Sequence, residues 1–163
     1  MSRLFRDVDG GPLCPHGSVV CIGAFDGLHS GHRALVRHAV ARARALGVPA
    51  VVVTFEPLPR EFFARDNPPP RLTLARAKVE GLLALGADHV GLLRFDAKLS
   101  ARSAEDFVRQ VVELCEQKDI WLIMDDTYNR LVFDGRQPTN AYAFTDRDVD
   151  RSKLLVVNSV SKM

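Results

Sequence analysis

An α/β fold, built as a parallel sheet with helices on both faces, is what the sequence predicts, and three observations lead there. Short apolar, β-rich runs alternate with longer stretches whose apolar residues recur at spacings of three and four. The helical stretches are bounded by capping residues or glycines. The first β-rich run opens into a turn rich in glycine and histidine, and in parallel sheets ligands bind at the carboxyl ends of strands.

The elements follow in order. "SVVCIG" (18–23) is a strand, and "HRALVRHAVARARALG" (32–47) is an amphipathic helix that places Leu35, Ala39, Ala43 and Leu46 on its apolar face. "AVVVTF" (50–55) is a second, buried strand. "EPLPREFFARDNPPPR" (56–71) carries five of the nine prolines and is expected to be largely loop. "TLARAKVEGLLALG" (73–86) is a helix opened by Thr73 and closed by a glycine, followed by the strand "DHVGLLRF" (88–95). "SAEDFVRQVVELCEQK" (103–118) starts with a serine N-cap and acidic residues in its first turn, where the helix dipole favours them, and "IWLIMDD" (120–126) is a fourth strand. "RQPTNAYAFTDRDVDRSK" (136–153) is polar and turn-rich, so a long surface connection or local disorder is expected. No Gly/Ser-rich linker interrupts the chain, which favours one continuous sheet over two independent domains.

Composition limits the function classes. At 163 residues, with 47% hydrophobic and 26% charged residues, the chain fits a soluble globular protein with a real core. A formal net charge of +2 gives no reason to expect a nucleic-acid or membrane partner. No apolar run approaches the roughly 20 residues that cross a bilayer, and the first residues lack the apolar stretch of a signal peptide. A cytoplasmic location is expected. The three cysteines, Cys14, Cys21 and Cys115, form no CxxC pair, so they read as free thiols rather than zinc ligands or a disulfide framework.

The turn "GAFDGLHSGH" (23–32) carries the chemistry. Gly23 and Gly27 allow a tight turn and a close ligand approach, while a helix starting near Ser30 points unpaired N–H groups and a positive dipole end at the same space. His29 and His32, three apart, can both face that space and donate to phosphate oxygens. An ordinary strand-to-helix turn with surface histidines is the plain alternative. The coincidence of glycines, histidines and a helix start favours the anion site. Asp26 reads equally as a turn-former bonding the local backbone or as a contributor to a nucleotide and magnesium site.

These residues resemble the GxFDGxHxGH signature of HxGH nucleotidyltransferases, and specifically the FMN adenylyltransferase module of prokaryotic bifunctional FAD synthetases. "GVPAVVVTFEPLPREFF", "PPPRLT", "GADHVGLLRFD" and "SAEDFVRQVV" continue the likeness in order. The resemblance implies a Rossmann-like sheet and transfer of AMP from Mg-ATP to FMN, giving FAD and pyrophosphate. It implies that Gly23, Ala24, Phe25, Asp26 and Gly31 line the ATP site, and that His29 and His32 stabilise the α-phosphate and leaving group while Mg²⁺ bridges phosphate oxygens. It places Pro57 and Phe62 towards the flavin phosphate. One departure is Leu58, where many members carry histidine.

From about Glu113 the likeness changes. A strand ending in Asp125, Tyr128 three residues on, and "LLVVNSVSKM" resemble the large domain of fold-type I aminotransferases. That resemblance implies pyridoxal phosphate (PLP), with Asp125 on the pyridine nitrogen, Tyr128 on the phenolic oxygen, Lys162 as Schiff-base lysine and Ser159 or Ser161 near the phosphate. By spacing alone, a polar strand end and a solvated lysine explain the same residues. The chain is thus expected to join a nucleotidyltransferase-like part, 1–112, to an aminotransferase-like fragment, 113–163, which completes the same sheet. The junction is placed between Phe107 and Leu114.

Overall fold

The computed structural model of the chain describes residues 3–6, 13–125 and 140–157. It divides into two compact units, Met1–Leu99 and Ser100–Met163.

In the first unit four strands, β1 (Arg3–Arg6), β2 (Val19–Ile22), β3 (Ala50–Glu56) and β4 (His89–Arg94), form one sheet in the order β1-β4-β3-β2. Every pairing is parallel, as the alternation requires. β1 went unread in the sequence because four residues, "RLFR", carry too little pattern to announce a strand. Helix α1 (Ser30–Leu46) crosses from β2 to β3, and α3 (Ala75–Ala84) leads into β4. The register sets Cys21, Val52 and Val90 in one row. That row packs in the same core as Val36 and Ala39 of α1 and Val79 and Leu82 of α3. Both long helices therefore share one face of this sheet. On the other, Val20, Ile22 and Leu93 are exposed, while Val51 is buried and Phe55 meets Phe95 edge-on.

The predicted strands and long helices are present, with local differences. The buried stripe of α1 is Val36, Ala39 and Ala43, while Leu35 and Leu46, expected on it, are 51% and 53% exposed. Small side chains let the helix lie close to the sheet, and the two leucines fall on its flanks. Residues 56–71 are not all loop: Pro59–Phe63 form one short helix, α2, with its proline in the first turn, where the missing N–H costs nothing. Thr73 does not open α3. Leu74 sits at the N-cap, without a side-chain cap bond, and the threonine hydroxyl is used elsewhere.

Helix α1 ends at Gly47, whose φ is +66° and whose N–H returns to the carbonyls of Ala43 and Arg44. A Cβ there would meet no atom within 4 Å, so Gly47→Ala isolates the backbone term. The variant is expected to lose about 1 kcal/mol and to melt about 2–4 °C lower, read by thermal unfolding. An unchanged melting temperature would show that the cap carries no such preference.

The second unit holds α5 (Ala104–Gln117), β5 (Leu122–Asp125) and β6 (Leu154–Val157); the short α4 (Ala97–Ser100) lies where the two units meet in sequence. Ser103 caps α5 as expected, its Oγ accepting the N–H of Asp106 at 3.0 Å. Among the described strands β5 and β6 pair in parallel only with each other, in a separate two-stranded sheet, where the sequence reading expected one continuous sheet. A small core of Val112, Ala141 and Leu154 holds this unit. Ala141 comes from the polar stretch expected to be surface connection or disorder, which from Asn140 onward folds into a 3₁₀ turn at Ala141–Phe144. Tyr142 anchors that turn by donating its hydroxyl to the carbonyl of Leu154 at 2.9 Å. Among the described residues no helix is long and apolar enough to cross a membrane.

Candidate functional site

The turn after β2 is held in an unusual backbone conformation. Gly23 makes one last sheet bond, its N–H to the carbonyl of Val53 at 3.0 Å. Phe25, Gly27 and Leu28 then take φ values of +50°, +79° and +35°. Two of these are not glycine, and left-handed backbone costs such residues on the order of 1–2 kcal/mol each. Burial offsets the cost: Phe25 is 1% exposed, Leu28 is also buried, and both belong to the core shared by α1 and α3. Gly27 is favoured by its positive φ; a Cβ there would also lie 2.8 Å from Leu72 Cδ1, the end of an exposed side chain that can shift aside. Its N–H donates to Thr73 Oγ1 at 2.7 Å.

His29 is the N-cap of α1, and its Nδ1 accepts the N–H of His32 at 3.3 Å. The two imidazoles stack, with ring centroids 3.6 Å apart and planes 22° from parallel. The sequence spacing thus does bring them together, at the amino end of a long helix. The Phe25 ring meets His32 edge-on at 5.3 Å. Burial pushes the His32 imidazole below its ordinary pKa, the neighbouring His29 adds to this, and Asp26 partly opposes it. The His32 Nδ1 is buried and has no hydrogen-bond partner among the described residues.

Asp26 does something neither sequence reading foresaw. Its Oδ1 accepts the backbone N–H groups of Leu72 (3.0 Å) and Thr73 (2.9 Å), and Oδ2 pairs with Arg60. The carboxylate therefore clasps the glycine turn to a segment more than 40 positions away, instead of closing its own turn. That segment is itself cross-linked. Arg71 donates to both oxygens of Glu61, at 2.7 and 2.5 Å, and to Glu56 at 2.6 Å, while Glu61 Oε2 accepts the N–H of Leu58 at 3.0 Å. The Arg71 hydrogen bonds hold the Glu61 carboxyl at a pKa of about 2, and the two carboxylates raise that of the Arg71 guanidinium.

Pro57 is exposed on the same segment. Phe62 meets Phe63 and Phe95 edge-on, at 5.6 and 5.4 Å, and the Arg65 guanidinium sits 4.3 Å from its ring centre. Leu58 is buried, so an apolar side chain is suited to that position. Phe63, Leu72 and Leu74 leave large apolar side chains exposed.

Sequence reasoning missed Arg60, Arg71, Thr54 and Lys78. Only Lys78 left a signal: it lies on the buried stripe of α3 with Val79 and Leu82, a charge where the period asks for an apolar residue. Of the alternative set, Asp125 closes β5, and its side chain together with Tyr128, Ser159, Ser161 and Lys162 lies outside the described residues. Among the described residues no three His, Cys, Asp or Glu side chains group as a metal cage.

The FAD synthetase family model matches residues 12–124, and the model for aminotransferase class I and II matches residues 103–163. The bifunctional riboflavin kinase/FMN adenylyltransferase of Escherichia coli K12 is 42% identical over 111 residues, covering 68% of this chain and 36% of that protein. Its counterpart in Pseudomonas fluorescens is 46% identical over 97 residues, covering 59% and 30%. A putative bifunctional riboflavin kinase/FMN adenylyltransferase of Geobacillus thermodenitrificans is 42% identical over 98 residues, covering 60% and 53%. The chain thus spans 36% of the length of the Escherichia coli relative. A crystal structure of a macrolide-efflux protein from Streptococcus pneumoniae superposes with a TM-score of 0.58 at 22% identity, over 98% of this chain and 52% of that one, a likeness of fold.

Proposed function

The chain belongs to the FAD synthetase family through residues 12–124, and on that footing we propose that it is an HxGH nucleotidyltransferase module that transfers AMP from Mg-ATP to FMN. The observation that carries the proposal is the stacked pair His29 and His32 at the amino end of α1, seated on a glycine turn at the carboxyl end of β2. In the proposed reaction an FMN phosphate oxygen attacks the α-phosphorus of ATP. The bond from that phosphorus to the bridging oxygen breaks, and pyrophosphate leaves. No covalent link to the protein forms, so the chain's part is to position the reactants and stabilise developing charge.

His29 and His32 bear on the α-phosphate and leaving group in this scheme. Burial lowers the proton affinity of His32 and an arriving polyanion raises it again, so nucleotide binding and proton uptake at this ring are coupled. Gly23, Ala24, Phe25, Asp26 and Gly31 form the ATP side; a Cβ on Gly31 would lie 3.3 Å from the His29 ring. Asp26 acts by holding Leu72 and Thr73 in place. With its oxygens so engaged, Mg²⁺ enters as part of the Mg-ATP substrate, held chiefly by the phosphates. Pro57 and Phe62 take the flavin side.

The proposed division is a nucleotidyltransferase-like part at 1–112 and an aminotransferase-like fragment at 113–163. Because the aminotransferase-like match already begins at residue 103, slower turnover than in the relatives is expected. The setting proposed is cytoplasmic, with small-molecule substrates and neither nucleic acid nor membrane as partner. The test is release of pyrophosphate from Mg-ATP, which should require FMN. Release that ignores FMN, or none at all, would overturn the reading.

The aminotransferase-like match supports a second reading, in which Asp125, Tyr128, Ser159, Ser161 and Lys162 hold pyridoxal phosphate. Its test is a cofactor-dependent absorbance that is lost in Lys162→Ala. A melting temperature unmoved by ATP, FMN and pyridoxal phosphate would instead mark a non-catalytic chimera, since a ligand of the folded state raises its stability.

A further inference from the structure

Lys78 and Thr54 lie beneath the histidine turn, and neither takes part in the scheme above. Both side chains are almost wholly buried, at 1% and 0% exposure. The Lys78 ammonium donates to the carbonyls of Phe55 (3.0 Å) and Ala24 (3.4 Å), with Glu56 Oε2 3.8 Å away. The Thr54 hydroxyl donates to the same Ala24 carbonyl at 3.0 Å. One backbone oxygen thus receives two buried donors, one from α3 and one from β3.

A buried lysine is expensive, and burial indeed pulls the Lys78 amine below its ordinary pKa, with Glu56 the largest opposing influence. Retaining it only to fill the core would be poor design, because an apolar chain of that length would do as well. What the amine adds is direction. A carbonyl fixed by two donors fixes the plane of the peptide that joins residues 24 and 25. The next torsion is the positive φ of Phe25, which places its ring in the core and edge-on to His32. The histidine pair is therefore linked to Lys78 and Thr54 through one peptide plane and one aromatic ring.

We propose that Lys78 and Thr54 are positioning residues for the adenylyl transfer assigned above, acting through the Ala24 carbonyl and the Phe25 ring to hold His32 against His29. The inference rests on that reading for its kinetic arm and stands apart from it in its spectroscopic one. Lys78→Met keeps the buried stem and removes the donor; Thr54→Val is isosteric and removes only the hydroxyl. In each, kcat for FMN-dependent pyrophosphate release should fall about 10- to 100-fold, the scale of a misplacement near 1 Å, with a smaller change in KM for ATP. Imidazole NMR should show the His32 titration, with His29 and Asp26 as its titratable neighbours, moving up towards an ordinary histidine as the Phe25 ring lets water in.

If Lys78→Met does not fold, Thr54→Val decides. Folded variants that keep the wild-type His32 titration and the wild-type kcat overturn the positioning role. If the wild-type chain itself makes no pyrophosphate, the transfer reading fails, and the His32 titration alone decides whether the two residues hold the turn.

Discussion

Replacing His32 with alanine should lower FMN-dependent pyrophosphate release from Mg-ATP by about 100- to 1000-fold, the range seen when one preorganised donor is removed from a developing anion. His29→Ala should be comparably slow but also less stable, because His29 has two tasks. As N-cap it accepts the N–H of His32, and losing a cap costs about 1 kcal/mol; in the proposed reaction its imidazole also bears on the phosphates. His29→Asn separates them. Asparagine is a strong N-cap, so the melting temperature should return to near the wild-type value while the rate stays low. Steady-state kinetics beside thermal unfolding reads both. A His29→Asn enzyme with wild-type kcat would mean that the histidine is there only to cap α1.

Arg71→Met should be the most destabilising polar substitution in the segment after β3. It strands Glu61 and Glu56, which surround the guanidinium at 2.5–2.7 Å, in a site where all three side chains are largely covered. A loss of about 2–3 kcal/mol is expected, the scale of hydrogen bonds to charged groups after allowance for partial solvent screening. The pH dependence gives a sharper check. The folded pKa of Glu61, about 2, lies below the unfolded value near 4.5, so its contribution is fully present above pH 4.5 and is lost as pH falls towards 2. The gap between wild type and variant in chemical denaturation should therefore be wide at pH 6 and close across that window. A gap constant from pH 6 to pH 2.5 would show that Glu61 gains nothing from Arg71.

The clasp ties this stability to the proposed site. Asp26 reaches the backbone of Leu72 and Thr73, directly after Arg71, so loosening the arginine should also loosen the turn that carries the histidines. Arg60, paired with Asp26 and donating to the carbonyl of Pro70 at 3.0 Å, is the second tie between the same two segments.

Local chemistry made much of this legible from residues alone. β-branched runs gave β2, β3 and β4, because such side chains suit a pleated, buried surface. Ser103 and Gly47 marked helix ends, since their preferences are set by the backbone within one turn. "GAFDGLHSGH" announced a tight turn running into a helix start, because glycines and a helix start are themselves local features.

What the tertiary structure decided are quantities that depend on residues far apart. The phase of α1 was misjudged because Leu35 and Leu46 satisfy the helical period as well as Val36 does; only the sheet beneath selects the stripe. Thr73 looked like a cap and became a partner of Gly27, 46 positions away. Asp26 looked like a turn-former or a ligand, and packing gave it a clasp that neither reading foresaw. The separate pairing of β5 with β6 likewise has no local sign, because a strand does not encode its neighbour. The sequence by itself determined where β2 to β4, the long helices and the glycine–histidine turn lie, since those follow from interactions within a few residues. Which side chain meets which carbonyl above and below that turn was settled only by packing, since a hydrogen bond between distant residues exists only once the fold has brought them together.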